Sequence, residues 1–579
     1  MYTNDNAENY RLVWVDPKDP NKEKWQDCVP EKKYVLEGIS RAGGHIICQY
    51  LKDVQSKLEV YDAEGTYHYD VELPGTGISS NLIGKKDMGH AYYSIVADIF
   101  ARFKRLDGYK VFFLTGTDEH GQKIEKAAKK NKKNPKDFCD EISKTFKDLT
   151  KILNLTNDDF IRTTEKRHSD AVEDLWNKLH KNGDIYLSKY KGWYSVSDEA
   201  YYNEDEVIDK DGKKVSILSN SIVEWVEEES FFFKLSKWQN KLLEFYNQNP
   251  NFILPESRKN EVISFVKSGL KDLSISRKSF SWGIKVPNDK KHVIYVWLDA
   301  LTNYISALNY PDTQSSLFKN FWPADLHLIG KDILRFHAIY WPAFLLAADI
   351  LPPKRVYGHG WILSGEEKMS KSKGNILDPI EIIKKYGLDQ LRYYLVKEVS
   401  FGNDGNISTE SIESCINSDL ANNFGNFCQR TLSFAEKNCN NQVPKNYNFL
   451  EEDNKLLNSF SLNLSKIRKD IDNQNLNEYI KFIIARSFDS NKYFNDSAPW
   501  SQKEKLERLN TIIYVSLEVI RKLSILLFPI IPQSAEKSLK SLNVSISKIS
   551  LESINNHEFL TKGGSLNNQG ILFKKIINK

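Results

Sequence analysis

Cysteine is sparse in this chain and never paired. The six thiols, at positions 28, 48, 139, 415, 428 and 439, form no Cys-x-x-Cys, which argues against a zinc knuckle and against a disulfide framework. A reducing, cytoplasmic setting is the expectation from that pattern. Long apolar runs are missing as well: the longest, around 338–351, is interrupted by Asp349 and is too short for a membrane span. The opening Met1-Tyr2-Thr3-Asn4-Asp5 lacks the basic-then-apolar profile of a secretory signal. Neither charge sign dominates, since 81 Lys and Arg against 77 Asp and Glu leave +4, so an anionic partner has to be met by local patches. What is present is foldable material: 40% hydrophobic and 12% aromatic residues over 579 positions, enough for three or four ordinary domains.

Up to about residue 87, short β-rich runs (46–51, 58–62, 67–73) alternate with turns such as Pro74-Gly75-Thr76-Gly77, the spacing of antiparallel strands of blade size. At Met88 the character changes. Ile95, Ile99 and Phe103 recur at helical spacing, and the run Val111-Phe112-Phe113-Leu114 follows as a buried strand leading into a polar loop, half of an α/β nucleotide-binding unit. The lysine-rich helical stretch at 125–160 reads first as a solvated face. Residues 185–290, with a hairpin signal at Asp211-Gly212, look like an insertion, after which strands at 293–297 and 326–329 restore the sheet. Beyond about 380 the period is helical throughout (391–396, 412–435, 476–495, 512–527), which predicts a helical bundle. The predicted fold class is α/β with a C-terminal helical domain.

The densest chemical signal is Lys368-Met369-Ser370-Lys371-Ser372-Lys373-Gly374-Asn375. Lysine heads are compact charges that can move onto phosphate oxygens, and the serines and glycine keep the segment free of bulk. Alone, the lysines would be a solvated loop. Met88-Gly89-His90 opens a helix, where free N–H groups and the dipole suit phosphate. Thr115-Gly116-Thr117-Asp118-Glu119-His120-Gly121 lies at a strand end, where Asp118 can accept from an ammonium or simply cap the next helix. Trp297-Leu298-Asp299-Ala300-Leu301 with Tyr304, and Gly330-Lys331-Asp332-Ile333 with His337, Trp341 and Pro342, bring aromatics beside strand ends, as core residues or as a soft cage for a thioether.

Taken jointly, residues 88–579 resemble the class I aminoacyl-tRNA synthetases, and among them the methionyl-tRNA synthetases. The loop 368–372 matches the second class signature, and 115–123, Arg277, 297–304, 330–342, Asn426, Arg430 and Trp500 match the methionine enzymes. The resemblance implies a Rossmann-like catalytic domain over 88–390 with a connective insertion at about 125–270 and the phosphate loop at 368–375, then a helical anticodon-binding domain over 391–579. It implies that Asp118 holds the methionine ammonium, with Trp297, Ala300, Tyr304, His337, Trp341 and Arg277 around the amino acid. Gly89, His90, Gly330, Asp332, Ile333 and Lys371 would meet ATP, with His90, Lys368 and Lys371 as catalytic groups, and Asn426, Arg430 and Trp500 would read the CAU anticodon of tRNA(Met). Mg2+ would enter with ATP. Many relatives carry zinc-binding cysteines just after a Trp-Tyr pair, but here Trp193-Tyr194 precedes Ser195-Val196-Ser197-Asp198, so no zinc is expected. The chain stops after the bundle without an added oligonucleotide-binding barrel, and a monomer with no membrane partner is expected.

The N-terminal part breaks the family pattern. Residues 31–87 resemble one to two blades of the prolyl oligopeptidase β-propeller, without ring closure and without a peptidase domain. The first strand of the synthetase sheet has no counterpart before Met88, and Asp87 stands where the resemblance implies the first signature histidine. A carboxylate against phosphates at ~4 Å costs about 1 kcal/mol in water and several in a partly dry site. Weakened adenylation is therefore expected. Three alternatives stay open: an active ligase in which residues 67–73 replace the lost strand, a tRNA-binding protein without catalysis, and a peptidase-related propeller protein, against which the lack of ring closure and of a nucleophile counts.

Overall fold

The computed structural model describes residues 2–3, 7, 11–16, 19–32, 35–42, 45–52, 55–62, 64–71, 88–202, 204–210, 213–217, 219, 221–364, 367–368 and 378–577. Contacts divide the chain into two compact units, one of Met1–Lys85, Lys123–Ile142 and Met369–Ile376, the other of Lys86–Gln122, Ser143–Lys368 and Leu377–Lys579.

In the smaller unit the predicted β-rich runs are antiparallel strands. Val35–Ala42, His45–Lys52, Gln55–Tyr61 and Tyr67–Val71 form a four-stranded meander, with a three-stranded sheet formed by the strands from Tyr2 to Val29. Cys28, Val29, Leu36, Ile46, Cys48 and Tyr61 make its core. Gly65 sits at φ +90° where a Cβ would lie 2.0 Å from the Cys28 carbonyl oxygen, so only glycine fits that turn. No ring closure occurs among the described residues. The strand Tyr67–Val71 pairs along Gln55–Tyr61 as the last strand of the meander.

In the larger unit the helix Met88–Leu106 buries Met88, Ile95, Ile99 and Phe103, the stripe expected from its spacing. It packs on the parallel strand His327–Gly330 and on the helix Leu388–Glu398. The parallel strands fall into two sets: Leu114–Thr117 with Asp159–Arg162, and His327–Gly330 with Val356–His359 and Ile253–Leu254. No pairing joins the two sets among the described residues. The run 111–114, expected to be a buried strand, is only half-buried, and the strand itself is shifted to Leu114–Thr117 with Gly116 exposed. Among the described residues the strand Leu114–Thr117 has a partner along one edge, Asp159–Arg162.

The insertion is an antiparallel sheet dominated by the long pair Ile185–Ser195 and Glu224–Phe233. The hairpin strands Val207–Lys210 and Lys213–Ser216 flank Asp211-Gly212, which lie outside the described residues. Beyond Leu388 the unit is helical, centred on Leu506–Leu527, which is buried on every face. Its buried Glu518, Arg521 and Lys522 are all paired. Glu518 accepts from Arg521 at 2.7 Å and from the Leu560 amide at 2.6 Å, while Arg521 donates to the carbonyls of Ser553 and Asn556, so the helix pins the irregular segment 553–560. No helix among the described residues is long and apolar enough to cross a membrane.

Candidate active site

The loop after Leu114–Thr117 is built around Glu119. Its carboxylate takes a two-pronged ion pair from Arg162 (2.7 and 2.9 Å) and hydroxyl bonds from Thr117 (2.8 Å) and Thr164 (2.5 Å). Its backbone N–H donates to Thr163, and its carbonyl accepts from the Trp282 indole at 2.6 Å. Gly121, at φ +109°, makes the turn that lets the chain enter the following helix; a Cβ there would strike Glu199 at 2.1 Å. Asp118 beside it is exposed to solvent although protein crowds around it, and it takes no donor from a described side chain. Crowding, followed by the negative Asp299, pushes its carboxyl up to about 6, against the opposing pull of His168 and His120.

Trp297 was expected on a strand over 293–297. The strand ends at Ile294, and Val296–Leu301 is a helix, because Tyr295 is fully buried against Tyr201 and turns the chain. That helix and the next, Asn303–Ser306, set Trp297, Ala300 and Tyr304 against a π-helical turn, Phe336–Tyr340, that carries His337 and leads into Trp341. Trp297 stacks on Phe336 at 3.8 Å, and Tyr304 lies 3.9 Å above His327. The His337 Nδ1–H donates to the Ile333 carbonyl (3.0 Å), so its Nε2 accepts from the Tyr304 hydroxyl (2.8 Å). Burial pushes His337 down to about 4, leaving it neutral at physiological pH. The indole N–H groups of Trp297 and Trp341 are buried without an acceptor among the described residues.

Gly330 ends its strand and Lys331–Ile333 turns sharply. Lys331 is held by Asp404 at 2.7 Å, and Asp332 accepts from the Trp361 indole at 3.2 Å. Gly89 and His90 lie in the first turn of Met88–Leu106, with His90 5.5 Å from Tyr93, which stacks on His359. Arg277 is elsewhere. It is buried in a cage of Tyr190, Tyr194 and Tyr201, its centre 3.7 Å from the Tyr194 ring, and pairs with Glu228 at 2.5 Å. No described contact joins it to the Tyr304 and His337 pocket. Lys371 lies outside the described residues, and Lys368 ends a short strand whose side chain there is likewise outside them.

Of the helical-domain residues, Asn426 and Arg430 stand one turn apart on Asn426–Asn438, directly after a second π-helical segment, Ile416–Gly425. Arg430 donates to Asn495 at 2.7 Å and faces the Phe494 and Trp500 rings, and Trp500 is 47% exposed. The stretch in the zinc-ligand place is knitted by hydroxyls: Asp198 accepts from Tyr202 (2.8 Å), Ser219 (2.5 Å) and Ser221 (2.7 Å). His120, His168, Asp299, His327 and Asn495 are side chains to which motif reading gave no part.

A family model for tRNA synthetases class I (M) matches residues 81–432, and one for the anticodon binding domain of methionyl tRNA ligase matches 443–579. A model for the prolyl oligopeptidase N-terminal β-propeller domain matches 1–97. The methionine–tRNA ligase of Brucella suis is 51% identical over 467 residues, covering 80% of this chain and 90% of its own. That of Rickettsia felis is 49% identical over 497 residues, 84% of this chain and 95% of its own. A Mycobacterium tuberculosis methionyl-tRNA synthetase, solved in complex with methionyl-adenylate, superposes with a TM-score of 0.82 at 45% identity, over 84% of this chain and 96% of that one. With a Rossmann-like α/β fold, a helical bundle behind it, and these matches across both, the chain belongs to the class I methionyl-tRNA synthetases.

Proposed function

We propose that this chain is a methionine–tRNA ligase whose amino-acid activation is weakened. The reading rests chiefly on one observation: Tyr304 bonds through its hydroxyl to His337 in a pocket walled by indoles, and that hydroxyl is pushed up by burial and then by Asp118, an exposed carboxylate with no donor among the described side chains. Such a pocket suits a small amino acid with an ammonium at one end and an apolar thioether at the other. Asp118 holds the ammonium, and Trp297, Ala300, Tyr304, His337 and Trp341 enclose the side chain. Arg277 acts at a distance, through its tyrosine cage. Gly89, His90, Gly330, Asp332, Ile333 and Lys371 take MgATP, entering as substrate. The methionine carboxylate attacks the α-phosphorus in line and pyrophosphate leaves, while His90, Lys368 and Lys371 offset charge on the phosphate oxygens; the carboxylate is already ionised, so no base is needed. The terminal adenosine hydroxyl of tRNA(Met) then attacks the carbonyl of the methionyl-adenylate, losing its proton as AMP leaves, with Asn426, Arg430 and Trp500 on the CAU anticodon.

The weakening follows from Asp87 in place of an imidazole; in the same direction, the parallel strands among the described residues fall into two separate sets. The same separation favours a second reading, a tRNA-binding protein that does not ligate. Methionine-dependent ATP–pyrophosphate exchange separates them. The expected rate is about 10²-fold or more below that of a relative assayed alongside. A rate equal to the relative's would remove the claim of weakening, and no exchange together with intact CAU-dependent tRNA binding would select the second reading.

A further inference from the structure

The helix that carries Asn426 and Arg430 continues directly from the π-helical segment Ile416–Gly425, and that segment is gripped from two sides. On one side the grip is Asn423, 3% exposed. Its Oδ1 accepts from the Ser487 hydroxyl at 2.9 Å and from the Asn491 side-chain nitrogen at 2.8 Å, and its main-chain carbonyl accepts from the same nitrogen at 3.2 Å. The Asn491 nitrogen also reaches the Ser487 carbonyl at 3.1 Å. Two of its three partners are main-chain carbonyls, which only accept, so this atom is the donor and the Asn423 atom facing it is the oxygen. The Asn423 carbonyl takes the backbone N–H of Asn426 as well, so the clamped residue is bonded to the start of the following helix.

On the other side Asn417 makes a two-point bond to the main chain of Ile576, donating to its carbonyl at 2.9 Å and accepting from its N–H at 2.8 Å. Phe573, buried, lies against Gly425, where an added Cβ would come 3.3 Å from its ring. The residues that hold Asn423 also belong to a longer row. Ser487, Asn491 and Asn495 are spaced four apart on the helix Leu476–Ser497 and share one face, and Asn495 accepts from Arg430 at 2.7 Å. One face of one helix therefore fixes both the end of the π-helical segment and the guanidinium beyond it.

The register of such a segment decides where the next helix points. π-helical turns are rare beside α-helical ones, and a slip of one residue turns a helical face by about 100°. That rotation would carry the exposed Asn426 away and take Arg430 off the Trp500 ring, which it now faces at 5.9 Å. We propose that Asn423 and Asn417 are positioning residues for anticodon recognition, holding Ile416–Gly425 in its π register so that Asn426 and Arg430 meet the anticodon together. The bearing on the anticodon rests on the roles proposed above for Asn426, Arg430 and Trp500.

The test uses the full chain, a CAU tRNA and the same tRNA with only its anticodon changed, both titrated by filter binding at one salt concentration. Asn423→Ala is expected to lower the preference for CAU, the ratio of the two affinities, about tenfold. Ser487→Ala, which removes one donor to Asn423, should lower it about threefold, as should Asn417→Ala. Asn423→Asp keeps an acceptor for Ser487 and Asn491 and is expected to keep the preference of the parent. Methionine affinity should stay at the parent's value in all four. Amide exchange over 416–430 follows the clamp itself, and should quicken about tenfold in Asn423→Ala while Leu506–Leu527 is unchanged. If Asn423→Ala does not fold, Ser487→Ala and Asn417→Ala carry both measurements. Unchanged exchange over 416–430, equal losses for the two tRNAs, or an Asn423→Asp variant as indifferent to CAU as Asn423→Ala overturns the proposal. If exchange quickens as expected while the parent itself binds both tRNAs alike, the clamp stands and the anticodon roles of Asn426 and Arg430 fall.

Discussion

Asp98 and Arg392 meet at 2.7 Å with neither side chain exposed to solvent. Asp98 also accepts from Arg102 at 2.7 Å and from the amide and hydroxyl of Thr156, each at 2.7 Å. Arg392 further donates to the carbonyls of Ile530, Pro529 and Leu153. One carboxylate and one guanidinium thus fasten the first helix of the catalytic fold to the helical bundle.

Because every polar atom of that pair is used, breaking it leaves a charge stranded. Asp98→Ala is expected to cost about 3–5 kcal/mol in denaturant unfolding. Burial would raise the Asp98 carboxyl, but Arg392 and Arg102 hold it below the usual carboxylate range. The stability it contributes is therefore present above the ordinary carboxylate value and lost as pH falls through its depressed one. A variant with the same acid-unfolding profile as the parent would refute this.

Asp118 has the opposite sign. Its carboxyl is raised to about 6, so its contribution is favourable at acid pH and lost as pH rises through that value. Asp118→Asn should raise the melting midpoint at pH 8 by about 1–3 °C, leave it little changed near pH 4, and abolish methionine binding. Scanning calorimetry at the two pH values checks the first part.

Tyr304→Phe deletes the only hydroxyl bonded to His337 Nε2 among the described residues, leaving a buried acceptor unpaired at a cost of about 1–3 kcal/mol. Methionine affinity should fall by a factor that is constant from pH 6 to pH 9, since His337 is already neutral throughout. A loss that grows towards low pH would show that His337 titrates in that range.

Arg430→Ala should weaken binding of a CAU-anticodon tRNA by about 1–3 kcal/mol and leave methionine affinity unchanged. Asn495→Ala, which releases the Arg430 guanidinium from its 2.7 Å bond, should lose less. Equal losses for CAU and non-CAU tRNAs in a filter-binding titration would mean that the face contacts only the phosphate backbone.

The parts legible in the sequence were those written locally. The strand-end loop around Asp118, the stripe of Met88–Leu106 and the periodic helices beyond Leu388 each follow from spacing within a dozen residues. Trp297 was misplaced because the run 293–297 is equally apolar as strand or helix, and the packing of Tyr295 decided the matter. The π-helical turns at Phe336–Tyr340 and Ile416–Gly425 have no sequence period to betray them. His168 is one histidine on an ordinary amphipathic helix, and nothing in its neighbourhood announces a partner 131 residues away at Asp299.

The division of the parallel strands into two sets also bears on the order of assembly. Leu114–Thr117 and Asp159–Arg162 meet across a connection of about forty residues, so this pairing can form while the rest of the chain is still being synthesised. The other set has to wait for Val356, more than a hundred residues after its partner Ile253. Loop closure of that length is slow, and among the described residues no shared strand lets the early half template the late one. The newborn chain therefore passes through a stage in which one finished half-sheet presents an open edge, a point at which chaperone dependence enters.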